Sequence, residues 1–358
     1  MPSVRSVAIL VASACLVAGT VPAARAQVTS AAVAAAVSDL NSRDRDKVVA
    51  GRTALLALLN AARTNPPALA TFAKDLNTQL MPIATGNDPH AKLNAAIVVL
   101  RVTDQNASSD LAPLIAKLIG DSSSAVSAYG MRAASNVLPR MLSAPKAADN
   151  NPIGPAIVAA VTAHPTSEAV AMEAYAAIVR LLNDRTAAEA LTPAGVDAAT
   201  PRAVDTLLPL MAARSTQYGK GTLVEPNAEQ PAASFLGKRK TFELSTPAQR
   251  TATIRTLLRL MDAAGVEMVE VSKVNSPTSR LRLNDLRNLV KTTAGSLSVI
   301  SELSQKPALQ EFARKVAGYG GATPVAEYRQ GIADLSAAFV KEMPDTRPAS
   351  TQPTAAAP

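Results

Sequence analysis

The chain has 358 residues and a formal charge of +8; 48% of it is apolar, yet aromatics reach only 3% and tryptophan is absent. Its apolar content is therefore mostly Ala, Leu, Val and Ile, and because alanine and leucine are strong helix formers this composition predicts an all-α protein. A single cysteine, Cys15, excludes an internal disulfide and any zinc site built on several thiolates.

Residues 1–26 place Arg5 before an apolar run from 7 to 18 and end on Ala24-Arg25-Ala26, the pattern of a secretory signal peptide. The run stops at Gly19, Thr20 and Pro22, short of the roughly 20 residues that cross a bilayer. Ala12-Ser13-Ala14 ahead of Cys15 lacks the large aliphatic residue of a lipoprotein signal. Cleavage is expected near Gln27, giving an exported protein, periplasmic or extracellular, whose mature chain has no thiol to act as nucleophile or metal ligand.

The mature chain then falls into helix pairs. Leu69, Phe72, Ala73, Leu76 and Leu80 follow Asn65-Pro66-Pro67 at the spacing of one helix face. Gly86-Asn87-Asp88-Pro89 breaks that helix; Asp88 caps the next, Pro89 suits its first position, and Leu93, Ala96, Ile97 and Leu100 line its apolar side. The pair recurs over 110–141, where Leu111, Leu114, Ile115 and Leu118 precede Val126, Ala133, Ala134, Val137 and Leu138, and again over 151–182. An earlier copy aligns Asp46 with Asp88 and Leu58 with Leu100. The intervals of 42, 35 and 44 residues match a two-helix solenoid, in which stacked pairs bury faces that one pair leaves open.

In Asp88, Pro89, Ala91, Lys92, Ala95 and Leu100 the chain resembles the HEAT-repeat proteins, over about residues 44–182. The resemblance implies a HEAT-like helix-pair solenoid with an extended binding surface. Ser127 and Ala171 stand where that family's second helices carry arginine, so its internal Asp-Arg ladder is incomplete here.

The repeat domain is read over 27–215, its last helix over about 202–214. Residues 216–246 hold three glycines and two prolines with no helical period, and are expected to form a loop or linker insertion in which "TLVE" and "KTFEL" could pair as a hairpin. A smaller helical module follows over 247–343: one helix from Thr246-Pro247, a long one over about 278–303, and two more near 307–316 and 323–343, with a "GYGG" turn between the last two. Residues 344–358 are low in complexity and expected to be disordered.

Catalytic patterns are sparse. "GKGT" at 219–222 lacks the upstream glycine and the Lys-Ser/Thr order of a phosphate loop. "SAPK" at 143–146 matches Ser-x-x-Lys but has no companion Lys-Thr-Gly, since 291–293 reads Lys-Thr-Thr. His90 and His164, 74 residues apart, are read as surface or capping residues rather than metal ligands. No catalytic residue, cofactor or metal is therefore assigned.

Charge is the remaining signal. Residues 27–200 carry 14 Lys and Arg against 14 Asp and Glu, whereas 201–342 carry 19 against 13. From 238 to 291 the count is 11 against 5, and Lys238, Arg239, Lys240, Arg255, Arg259, Arg280, Arg287 and Lys291 are the candidate anion-binding residues, spaced to give each helix a positive stripe. The leading expectation is a non-enzymatic exported scaffold that binds a protein partner through its solenoid surface. The alternative is a binder of an anionic envelope polymer or lipid through the C-terminal basic helices, with an unrecognised hydrolase third and no nucleic acid expected.

Overall fold

The computed structural model describes residues 28–144, 151–183, 191–219 and 225–346. The expected signal peptide and its cleavage point lie outside these residues, as does the tail beyond 346. Among the described residues there are fifteen α-helices and no strand, so the fold is all-α, as composition required. None of these helices is long and apolar enough to cross a membrane.

Polar side chains set the helix starts. α1 (Ser30–Leu40) begins where Thr29 Oγ1 accepts the Ala32 N–H, and α2 (Arg45–Ala62) where Asp44 accepts the Asp46 N–H. α3 (Pro66–Thr85) starts at Asn65, and α4 (Pro89–Gln105) at Asp88, whose Oδ1 accepts the His90 and Ala91 N–H groups at 2.9 and 3.2 Å. Each such cap satisfies donors the helix cannot, a contribution of about 1 kcal/mol. α5 (Ala112–Ile119), α6 (Ser124–Ser143), α7 (Ile153–Ala163) and α8 (Glu168–Asn183) complete the expected pairs.

The helices alternate between two layers. α1, α3, α5 and α7 pack on one another in succession, α2, α4, α6 and α8 do the same, and each odd helix also packs on the even helix after it. Small residues bring the backbones close. A Cβ on Gly51 of α2 would stand 2.6 Å from Ala36 O and from Leu40 N of α1, and one on Gly130 of α6 would stand 2.9 Å from Ile119 N. Leu55, Leu59, Leu76, Leu80, Leu114, Ile115, Val137 and Leu138 fill the space between layers with no exposed surface.

α9 (Pro193–Ser215) starts nine residues before the expected 202. Thr192 caps it, Pro193 occupies its first turn, and Pro201 and Pro209 are carried inside the helix despite the ladder bonds they remove. Packing against α6, α7 and α8 outweighs those local losses. Residues 222–224 of the expected "TLVE" strand lie outside the described residues, but 226–244 differ from the sequence expectation. Pro226–Glu229 form a 3-10 turn, and α10 (Gln230–Leu236) and α11 (Arg239–Leu244) follow, so "KTFEL" is helical rather than a hairpin strand. Seven- and six-residue helices are too short for a sequence period to reveal, but Ala232, Ala233, Phe235 and Leu236 are buried. Gly237 between them lies so close to α13 (Pro277–Leu303) that an added Cβ would overlap the Ser296 side chain.

α12 (Pro247–Ser272), α13, α14 (Pro307–Ala317) and α15 (Val325–Glu342) close a ring, each packed on the next and α15 back on α12. The start of α12 is a full capping box between Thr246 and Gln249. Pro344–Thr346, at the head of the expected tail, form one more 3-10 turn against α12.

Gly51→Ala tests the close contact of α1 and α2. Alanine gains about 1 kcal/mol of helix propensity, but overpacking against rigid backbone costs about 1–3 kcal/mol. The variant should melt at lower denaturant than the parent; an unchanged or higher midpoint would refute backbone contact at this position.

Candidate functional site

Where α7 and α9 run side by side they touch at Gly154, whose missing Cβ leaves room for Thr206, and diverge on the outer side. The divergence leaves an open groove of about 960 Å³. Pro155, Val158, Ala159, Ala163 and Pro209 make it apolar, and Asn151, Arg202, Asp205 and Thr206 supply polar groups along its edge. Those groups are held in place. Arg202 Nη1 donates to Leu142 O at 2.9 Å and to Ala198 O at 3.0 Å, while Asp205 Oδ1 accepts from Gln249 Nε2 at 2.7 Å. An apolar trough with a few fixed polar groups is the usual chemistry of a binding site.

Beneath the C-terminal end of the groove lies a buried polar cluster that sequence reading missed. Arg214 on α9 donates from Nε to Glu229 Oε1 at 2.8 Å, and the two side chains are 1% and 0% exposed. Arg214 Nη1 donates to Gln217 Oε1 at 2.8 Å, and Nη2 donates to Glu225 O at 3.3 Å. Glu225 holds a left-handed backbone (φ 45°), which a non-glycine residue adopts at some cost. Gln217 Nε2 reaches Val161 O of α7 at 3.0 Å, and Tyr175 Oη of α8 lies 3.5 Å from Glu229 Oε1. Gly219 N donates to Glu267 Oε2 of α12 at 2.6 Å.

Burial raises the Glu229 carboxyl above its ordinary value, and the adjacent Arg214 guanidinium opposes that rise. Burial, then the neighbouring carboxylate, pushes the Tyr175 and Tyr218 hydroxyls well up, so both stay neutral. Arg214, Glu229, Tyr175 and Tyr218 are buried, and Gln217 and Glu225 half-buried. In sequence, Arg214 and Glu229 look like ordinary surface charges; only their partners in space distinguish them.

The sequence-derived cations do not form one face. Lys238, Arg239 and Lys240 sit at the start of α11, exposed. Arg239 pairs with Glu302 at 2.9 Å and lies 3.9 Å from Glu243, and Lys240 pairs with Asp197. Arg280 is exposed at the other end of α13, bonded to Asn275 at 3.0 Å. Glu302 and Arg280 are separated by roughly 33 Å of helix at 1.5 Å per residue. Arg255, Arg259, Arg287 and Lys291 are only half-exposed. Arg255 donates to Asp345 O at 2.5 Å; Arg287 donates to Thr323 O at 3.2 Å and stacks 5.9 Å from the centre of the Tyr328 ring. Two of the eight thus brace neighbouring segments, and their spacing of four and seven along helices recorded packing as much as exposure. His164 makes a structural link, its Nε2 2.9 Å from Asp121 O, while His90 is exposed.

Removing one partner of a buried ion pair strands the other, at about 3–5 kcal/mol. Glu229→Leu should therefore lower unfolding stability by that order, and the double variant Arg214→Met/Glu229→Leu should recover most of the loss in denaturant melts. A double variant as unstable as the sum of its singles would refute direct coupling. No protein-family profile matches this chain, and no curated protein matches its sequence.

Proposed function

We propose that the chain is an exported, non-catalytic interaction scaffold, a HEAT-like stack of helix pairs that receives a short apolar helix of a partner protein between α7 and α9. The groove itself carries the reading: about 960 Å³, lined by glycine, alanine, proline and valine, with fixed polar groups at its edge. Two helices that diverge over small residues offer a third helix the close approach that ridge-and-groove packing needs, with axes about 8–10 Å apart. The alternating layers and the repeat intervals of 42, 35 and 44 residues support the HEAT-like assignment. Export rests on the signal-peptide pattern of residues 1–26. An anionic polymer or lipid on the C-terminal basic helices has less support, because Arg239 and Lys240 are already paired with carboxylates.

Photo-crosslinking side chains placed at Ala159 and Ala163 in the groove, and at Lys117 on the exposed side of α5, test the site. The groove positions should yield one discrete cross-linked protein from the envelope fraction, absent from Lys117 and abolished by Ala159→Trp at unchanged melting temperature. Equal cross-linking from all three positions, or capture that survives the filled groove, would count against it.

A further inference from the structure

The N-terminal half carries no net charge, yet it gathers cations around one recess. Between the start of α2 and the start of α4 lies a pocket of about 620 Å³ lined by Arg43, Arg45 and Arg52, with His90, Asn94 and Asp88 at its rim. Val48, Val49 and Ala91 give it an apolar wall, and Val49 is 53% exposed, unusual for a valine with no partner over it.

Like Arg255, Arg259, Arg280 and Arg287 of the C-terminal segment, these arginines are not paired with a carboxylate among the described residues. Arg52 is half-buried; one terminal nitrogen donates to Asn94 Oδ1, which fixes the plane of the guanidinium, and its Nε is buried with no hydrogen-bond partner. Asp88 is the one carboxylate that lines the pocket; its Oδ1 accepts the His90 and Ala91 N–H groups at 2.9 and 3.2 Å, and its charge attracts Arg43.

We infer that this pocket binds a small organic oxyanion, its phosphate or carboxylate group held by Arg43, Arg45 and Arg52 and a short apolar body resting on Val48 and Val49. Guanidinium groups present parallel N–H donors that match two oxygens of such an anion. A volume of about 620 Å³ is within the range that takes a small molecule. The site lies on α2 and α4, on helices that do not line the α7–α9 groove, and so stands independently of the scaffold reading.

Calorimetric titration of the folded chain at low ionic strength, where screening is weakest, tests it with inorganic phosphate, phenyl phosphate and benzoate. Phenyl phosphate should saturate one site and bind at least about 5-fold tighter than inorganic phosphate, the increment expected from covering apolar surface. Saturation by benzoate in place of the phosphates would assign the anion as a carboxylate. Arg52→Gln should weaken binding by about 10-fold or more. The double variant Arg43→Gln/Arg45→Gln alters only exposed side chains, so it will fold and should weaken binding similarly; Arg255→Gln, in the C-terminal segment, should leave it unchanged. Absence of saturable binding by all three probes, or equal affinity in the parent and both pocket variants, overturns the assignment.

Discussion

Arg214 stands in the last turn of α9 with its guanidinium shut away from water, and the path of the chain beyond it is arranged around that charge. Taking a guanidinium and a carboxylate out of water costs several kcal/mol per ion, so the pair adds little net stability. Its effect is on choice. A docking of residues 225–229 that moved Glu229 away would leave Arg214 or Glu229 buried without its partner, and that outcome is far worse than the desolvation already met. With Glu229 fixed, α10 begins at a set point, Gly237 reaches Ser296, and α13 is positioned; with Gly219 held by Glu267, α12 is positioned as well. One buried contact thus orients the four-helix ring against the layered helices.

The layered half is organised by the opposite means. Its helices meet through Gly51, Gly130 and rows of alanine, where nothing polar directs the contact and the closeness of backbones sets the register. The same smallness of side chains leaves space wherever two helices diverge. Between α7 and α9, Ala159 and Ala163 do not reach across the gap that leucines would fill, and the groove is the result. Core packing and groove have a common origin here: a helix composed largely of alanine packs tightly where it touches and leaves a hollow where it does not.

How far the sequence revealed this follows from the range over which each signal acts. The starts of α3, α4 and α12 were legible because Asn65, Asp88, Thr246 and the proline after each act within one turn. The pairs over 110–141 and 151–182 were legible because their apolar faces run for several turns. α10 and α11 were not, since helices of seven and six residues complete fewer than two turns and depend on contacts with α13. The charge count misled for a related reason. A sum over 238–291 shows the excess but not that Arg239 and Lys240 meet carboxylates from α13 and α9. The zero sum over 27–200 hid Arg43, Arg45 and Arg52, three cations within ten residues whose recess is completed only when α4 packs beside α2.

The two halves also differ in how their contacts are distributed along the chain. In the layered part each helix touches its next neighbours, so the entropy lost in closing any one contact is modest and grows only slowly with the length of chain enclosed. Such an array can nucleate at any pair and spread in either direction, much as a zip closes. The ring cannot. Arg255 meets Asp345 across 90 residues, and α15 must return past α13 and α14 before it finds α12. Contacts that enclose so much chain cost more entropy to close, so the ring is expected to form more slowly than the neighbouring pairs of the layered half.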